Sequence, residues 1–117
     1  MTPKRIQLHH ANRWRVPPNT VKVDRSTIFG NPFGLVSMGP EQAVLMHRQW
    51  IEGAITDSEL RDGYPQWTAT LFIERRKQVM EALPKLRGKN LACWCALPDS
   101  AEPDCCHAVV LLEIANQ

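Results

Sequence analysis

The chain has 117 residues, enough for a single domain over 1–117 that buries roughly two-thirds of its unfolded surface. Its 44% hydrophobic and 22% charged residues are those of an ordinary globular protein, which excludes disordered and fibrous classes. A net charge of +2, from 14 basic and 12 acidic residues, is too small to mark a dedicated nucleic-acid-coating protein, and no apolar run reaches the about 18 residues of a membrane span.

Arg5-Ile6-Gln7-Leu8-His9 alternates polar and apolar residues and predicts a short strand. Pro17-Pro18-Asn19 marks a turn, and Thr20-Val21-Lys22-Val23-Asp24 alternates again as a second strand. Phe29-Gly30-Asn31-Pro32-Phe33-Gly34 is too rich in Gly, Asn and Pro for a regular element and reads as a shaped loop. Pro40-Glu41 then opens a helix over about 40–55, with Ala43, Val44, Met46, His47, Trp50, Ile51 and Ala54 at helical spacing. Residues 56–65 read as a connection. Trp67, Leu71, Val79 and Leu83 predict a second helix over roughly 66–83, ended by Pro84 and Gly88. Leu91-Ala92-Cys93-Trp94 reads as a buried strand, 96–104 as a loop, and 105–116 as a final helix. The order β-β-α-α-β-α predicts a small α/β domain in which a short mixed sheet is flanked by about three helices.

All four cysteines fall in Cys93-Trp94-Cys95 and Cys105-Cys106-His107. Cys93 and Cys95 at the end of a strand can face one partner, since residues two apart share a side, while Trp94 is expected to point into the core. Cys106 and His107 at a helix N-terminus lie where partial positive charge favours thiolates. Cys93, Cys95, Cys106 and His107 thus form a candidate tetrahedral zinc site, with Cys105 as the alternative to Cys106. A reactive thiol without metal and ordinary core cysteines are the competing readings. Such a cluster suits a reducing compartment better than a disulfide framework, and the N-terminus lacks the apolar core of a secretory signal, so a cytoplasmic protein is expected.

Arg25, Gly30, Asn31 and Pro32 are the candidate ligand-binding residues. Gly30 permits backbone shapes closed to other residues, Pro32 extends Asn31, and Arg25 can contact an anion. The alternative is a tight connector anchored by Phe29 and Phe33. His9 and His10 are candidate acid–base groups, although exposed histidines are commonplace; His47 is more simply a packed histidine. Trp14 and Trp50 suit base stacking or, by default, the core. Lys4, Arg5, Arg13, Arg15, Lys22 and Arg25 make a basic front segment whose only acid is Asp24, suited to phosphate contact or to plain solvation.

Arg5-Ile6-Gln7-Leu8, Pro18-Asn19-Thr20-Val21-Lys22-Val23-Asp24-Arg25, Gly30-Asn31-Pro32-Phe33, Leu86 through Cys95, and Cys106-His107 together resemble the DUF4326 family over nearly the whole chain. The family's usual pattern has a shorter loop before Cys106-His107; the extra residues here include Cys105. The resemblance carries over Arg25, Gly30, Asn31, Pro32, Cys93, Cys95, Cys106 and His107. It also implies a setting in bacteriophages and prophages, hence a host cytoplasm. The expected function is that of a small zinc-binding enzyme acting on a nucleotide or on a modified base in DNA. One form of it is methyl transfer to a 7-deazaguanine, although no S-adenosylmethionine motif is present. The expected cofactor is one zinc per chain in a structural role, with Arg25, Asn31, His9 and His10 as the catalytic candidates. The alternative is a non-catalytic zinc-stabilised module that binds nucleic acid or protein.

Overall fold

In the computed structural model of the chain, which describes residues 2–35, 38–99 and 104–117, the apolar run before Trp94 becomes the centre of a three-stranded sheet. The strands are β1 (Arg5–Gln7), β2 (Thr20–Lys22) and β3 (Asn90–Cys93), in the order β1-β3-β2. Leu91 and Ala92 are 0% exposed because β3 is paired on both sides and covered on both faces. Both pairings are parallel, Arg5 opposite Leu91 and Val21 also opposite Leu91 from the other edge. The sheet is therefore wholly parallel rather than mixed. The stretches 8–19 and 23–89 are long enough to cross over and return each strand in the same direction, which a hairpin cannot do.

Among the described residues four helices complete the domain: α1 (Pro40–Ile51), α2 (Asp57–Gly63), α3 (Gln66–Ala82) and α4 (His107–Ala115). α1 starts with Pro40 in its first turn and Glu41 at the positive end of the helix dipole. Ala43, His47, Trp50 and Ile51 form its buried stripe. It stops where Gly53 takes φ of 81°, and Arg76 caps it by donating to the carbonyls of Trp50 and Ile51 at 2.8 and 3.0 Å. α2 occupies the segment read as a connection. Thr56 and Glu59 form a reciprocal capping box, and Leu60 is the buried residue that docks the helix. In α3 the inward face is Ala69, Phe72, Ile73 and Val79, so Trp67 is turned out, 78% exposed. Pro84 lies in a 3-10 turn, Leu83–Leu86, that leads towards β3.

The core lies between the sheet and these helices. Phe33 stacks on Phe72 with centroids 4.6 Å apart and meets the edge of Trp50 at 5.8 Å. The Trp50 indole N–H donates to the Phe72 carbonyl at 3.1 Å, so Trp50 is a core residue and no base-stacking platform. Phe33 belongs to a 3-10 turn, Pro32–Leu35, where an irregular loop was expected. The loop prediction for 96–104 partly lies outside the described residues; 96–99 and 104 are irregular. No helix among the described residues is long and apolar enough to cross a membrane.

One buried side-chain atom is orphaned among the described residues, His47 Nδ1. The ring is 1% exposed, with centroids 5.7 Å from Trp50 and 5.5 Å from His107. Burial, with smaller contributions from the charges of His107 and Arg48, lowers its pKa from 6.5 to about 3. His47 is thus neutral when folded, whereas the unfolded chain protonates it below pH 6.5. Stability is fully present above that pH and is lost as pH falls towards 3, at up to about 1.4 kcal/mol per unit. In urea unfolding between pH 7 and pH 5, the wild type is expected to lose about 2 kcal/mol more than His47→Leu; equal losses would refute this.

Candidate metal centre and cleft

Parallel strands deliver their carboxyl ends to one rim of a sheet, the usual place for a ligand in open α/β folds. Here that rim receives Leu8 to His10 from β1, Val23 to Arg25 from β2 and Cys93 to Cys95 from β3. Leu8 N donates to the Cys93 carbonyl at 2.9 Å and Val23 N to that of Ala92 at 2.8 Å, extending the sheet to the rim itself. α4 arrives with Cys106 as its cap residue and His107 as its first residue.

Arg5 holds the two cysteine-bearing segments together. Its side chain is 4% exposed and forms a fork with Asp104, at 2.7 and 3.0 Å. It also donates to the carbonyls of Cys95 and Ala96 at 2.6 and 2.9 Å. Burial works to lower its pKa, but the Asp104 hydrogen bond and the charges of Cys106, Asp104 and Cys95 outweigh that and raise it. The sequence puts Arg5 in a strand and in a basic segment suited to phosphate contact or to plain solvation, and Asp104 in a loop. Neither residue carries a local motif, because their pairing spans nearly the entire chain.

Cys93, Cys95 and Cys106 come together with their sulfur atoms all within 4.8 Å of one another, an arrangement able to hold a metal ion. Cys93 and Cys106 are buried and Cys95 is exposed. The pKa of Cys93 is lowered by hydrogen bonds with Cys106 and Cys95. Cys106 is raised in turn by Cys93, by Cys95 and by burial. Cys95 is raised by Cys93 and burial even though a Cys106 hydrogen bond works to lower it. Cys105 is exposed and lies outside this trio. His107 is also apart from it: Nε2 is 2.6 Å from the Val23 carbonyl, which makes Nε2 the protonated donor. That leaves Nδ1 as the acceptor, 3.9 Å from Cys106 Sγ.

The trio borders a cleft of about 690 Å³. Arg25 and Asn31 border the cleft, as do Asp24, Trp94 and, from the α1 side, Ala43; neither His9 nor His10 does. Asn31 has both ends of its amide engaged, donating to the Ala43 carbonyl at 3.0 Å and accepting from Phe33 N at 3.0 Å. It therefore ties the loop to α1 and shapes the wall. Gly30 and Pro32 border a smaller pocket instead. A Cβ on Gly30 would lie 2.8 Å from Arg25 Cα and 3.0 Å from the Asp24 carbonyl, so the loop closes against β2 only with glycine there. Arg25 itself is exposed and makes no hydrogen bond or ion pair among the described residues.

Trp94 does not enter the core. It is 42% exposed, and its indole N–H donates to Asp24 Oδ2 at 2.8 Å. Strand pairing ends at Cys93, so the alternation that would have buried Trp94 no longer applies to it. Asp24 is 6% exposed and also accepts from Ser26 Oγ at 2.6 Å. His10 stacks on Trp94 at 4.1 Å and 17°, and reaches the cleft only through that ring. His9 meets the edge of Trp14 at 5.3 Å. From the sequence Asp24 is only the one acid of the basic front segment, and its role as the anchor of Trp94 has no local signature.

Fold and rim define a small parallel α/β domain with a thiol-lined cleft that can take a metal ion. The chain belongs to the family described as Domain of unknown function (DUF4326), whose model matches residues 6–117. Comparison with curated proteins and with solved structures finds no match.

Removing Asp104 strands a buried guanidinium. Asp104→Ala is expected to cost about 3 kcal/mol in denaturant unfolding. Arg5→Met combined with Asp104→Ala should recover part of that loss, as the charge leaves with its partner. A double variant less stable than Asp104→Ala alone would contradict the clamp.

Proposed function

We propose that this chain is a small zinc-dependent enzyme acting on a heterocyclic substrate, a nucleotide or a base in DNA. The observation that carries this reading is that one cleft is bordered both by three clustered thiols and by Arg25, a cation with no acidic partner among the described residues. Zinc fits the donor set, since soft sulfur ligands held close together are its usual environment. Cys93, Cys95 and Cys106 would hold it. Three thiols leave one position of a tetrahedral ion, and His107 Nδ1 is the nitrogen beside the trio. Filled by His107 the site is closed and structural; filled by a substrate atom it is open. Bound in the cleft, zinc supplies Lewis acidity and keeps its thiolates charged.

The protein's own groups supply the rest. The Trp94 ring, held by Asp24, offers a flat wall on which a heterocycle can stack. Arg25 offers a charged donor for an anionic group of the substrate. His10, on the face of Trp94, is the nearer of the two histidines for moving a proton, while Asn31 sets the width of the cleft. Methyl transfer to a 7-deazaguanine is one reaction within this class. Stacking on Trp94 suits a bicyclic base, and the methyl donor would have to be a second substrate.

A second reading, a zinc-stabilised module that binds nucleic acid without catalysis, is favoured by the exposure of Lys4, Arg13, Arg15 and Lys22. Arg5, being buried, is lost to such a surface. Binding of that kind weakens steeply with salt, as each phosphate contact releases counterions.

Metal analysis by mass spectrometry of the native protein is expected to find one zinc per chain, and Cys106→Ser should lose it. If His107→Ala keeps the zinc and the fold, the fourth position is free for a substrate atom; if it sheds the zinc, the site is closed. Native protein without metal, its thiols freely alkylated, would overturn the zinc reading.

A further inference from the structure

Behind Arg25 lies a second, smaller pocket of about 110 Å³, bordered by Arg25, Gly30, Asn31, Pro32, Leu71 and Arg75. Arg25 and Asn31 border the main cleft as well, so the two spaces adjoin across them. We propose that this pocket is a phosphate subsite, which binds the phosphate of a nucleotide unit whose heterocycle occupies the metal cleft. The proposal rests on the reading of that cleft as a heterocycle site and narrows its substrate from a free base to a nucleotide.

Charge is the first argument. Two arginines and no acidic residue border the pocket. Like charges brought to one small space repel unless an anion joins them, and a phosphate accepts the planar donor fork of arginine from two sides. The second argument is what the neighbouring cations do. On α3, Arg76 is used up in capping α1, and Lys77 pairs with Glu74 at 3.5 Å. Arg75 makes only a long contact of 3.4 Å to the Ile28 carbonyl and, like Arg25, has no acidic partner among the described residues. The third argument is preorganisation. The turn after β2 is pinned where Thr27 N and Oγ1 both donate to the Asp24 carbonyl, at 3.1 and 2.9 Å. Gly30 then packs against the Arg25 backbone. Arg25 thus projects from a fixed base, and Arg75 from the middle of a helix, so little backbone order is lost on binding.

A free nucleotide and a strand of nucleic acid present the same phosphate chemistry, and titration can tell them apart. The full chain, loaded with zinc, would be titrated calorimetrically with inorganic phosphate, the four deoxynucleosides, their 5′-monophosphates and a mixed-sequence single-stranded decamer. At least one monophosphate, or the decamer, is expected to bind about tenfold or more tighter than its nucleoside. Arg75→Gln, which does not border the main cleft, should remove most of that difference while leaving nucleoside binding and circular dichroism unchanged, and Arg25→Gln should remove it as well. Preference for the monophosphate indicates a free nucleotide, and preference for the decamer a polymer substrate. Nucleosides and monophosphates bound equally would overturn the subsite and leave the heterocycle reading standing. Inorganic phosphate bound as tightly as any nucleotide, and lost in Arg75→Gln, would support the subsite and count against a heterocycle in the cleft. No binding of any phosphate compound would overturn the proposal.

Discussion

A single buried guanidinium sets the shape of the candidate centre. Arg5 sits at the start of the first strand, yet its donors reach Cys95, Ala96 and Asp104 near the other end of the chain. The carbonyls it satisfies belong to irregular backbone, which no helix or sheet would otherwise pair. Without it, the segment leaving Cys95 and the segment entering Cys106 would have no charged tie. The pairing is bidentate with Arg5 buried and Asp104 partly so, a setting in which an ion pair is costly to break from the Asp104 side only. Its value lies less in net stability than in holding backbone so that three sulfur atoms converge.

The second determinant is strand direction. In a mixed sheet the residues following β1, β2 and β3 would have pointed to different rims. Because both pairings are parallel, the Asp24–Arg25 turn and the Cys93–Cys95 segment share one rim with His10. α4 then closes that rim with Cys106, and the hydrogen bond between His107 and Val23 seats it there. The cleft is therefore a product of topology, and the residues that line it need not be close in sequence.

How much of this was legible follows from the range of each interaction. The three strands, three of the helices and the cysteine cluster rest on local periodicity and spacing, so they could be read with boundaries a few residues too long. α2 escaped because its single buried Leu60 gives no periodic signal, although Thr56-Asp57-Ser58-Glu59 carries a capping box in plain sight. Trp67 marks the helical spacing of α3 and alternation along the strand puts Trp94 in the core, yet both face outward, one because the α3 stripe is offset and the other because its strand ends early. The Arg5–Asp104 fork and the Asp24–Trp94 bond link residues far apart in the chain. Direction of pairing is likewise a tertiary property, which alternation within a strand does not encode.

Both edge strands pair, among the described residues, with β3 alone, and β3 lies at residues 90–93. During synthesis the first two strands therefore leave the ribosome without a partner. They stay unpaired until most of the chain has followed, and only then can the sheet close, at the loop-closure cost that long-range pairing entails. The segment that completes the sheet is also the one that carries the thiols. A chain cut before residue 90 would leave β1 and β2 without their partner strand and would lack all three clustered thiols, so the sheet and the candidate metal centre are built by one and the same step.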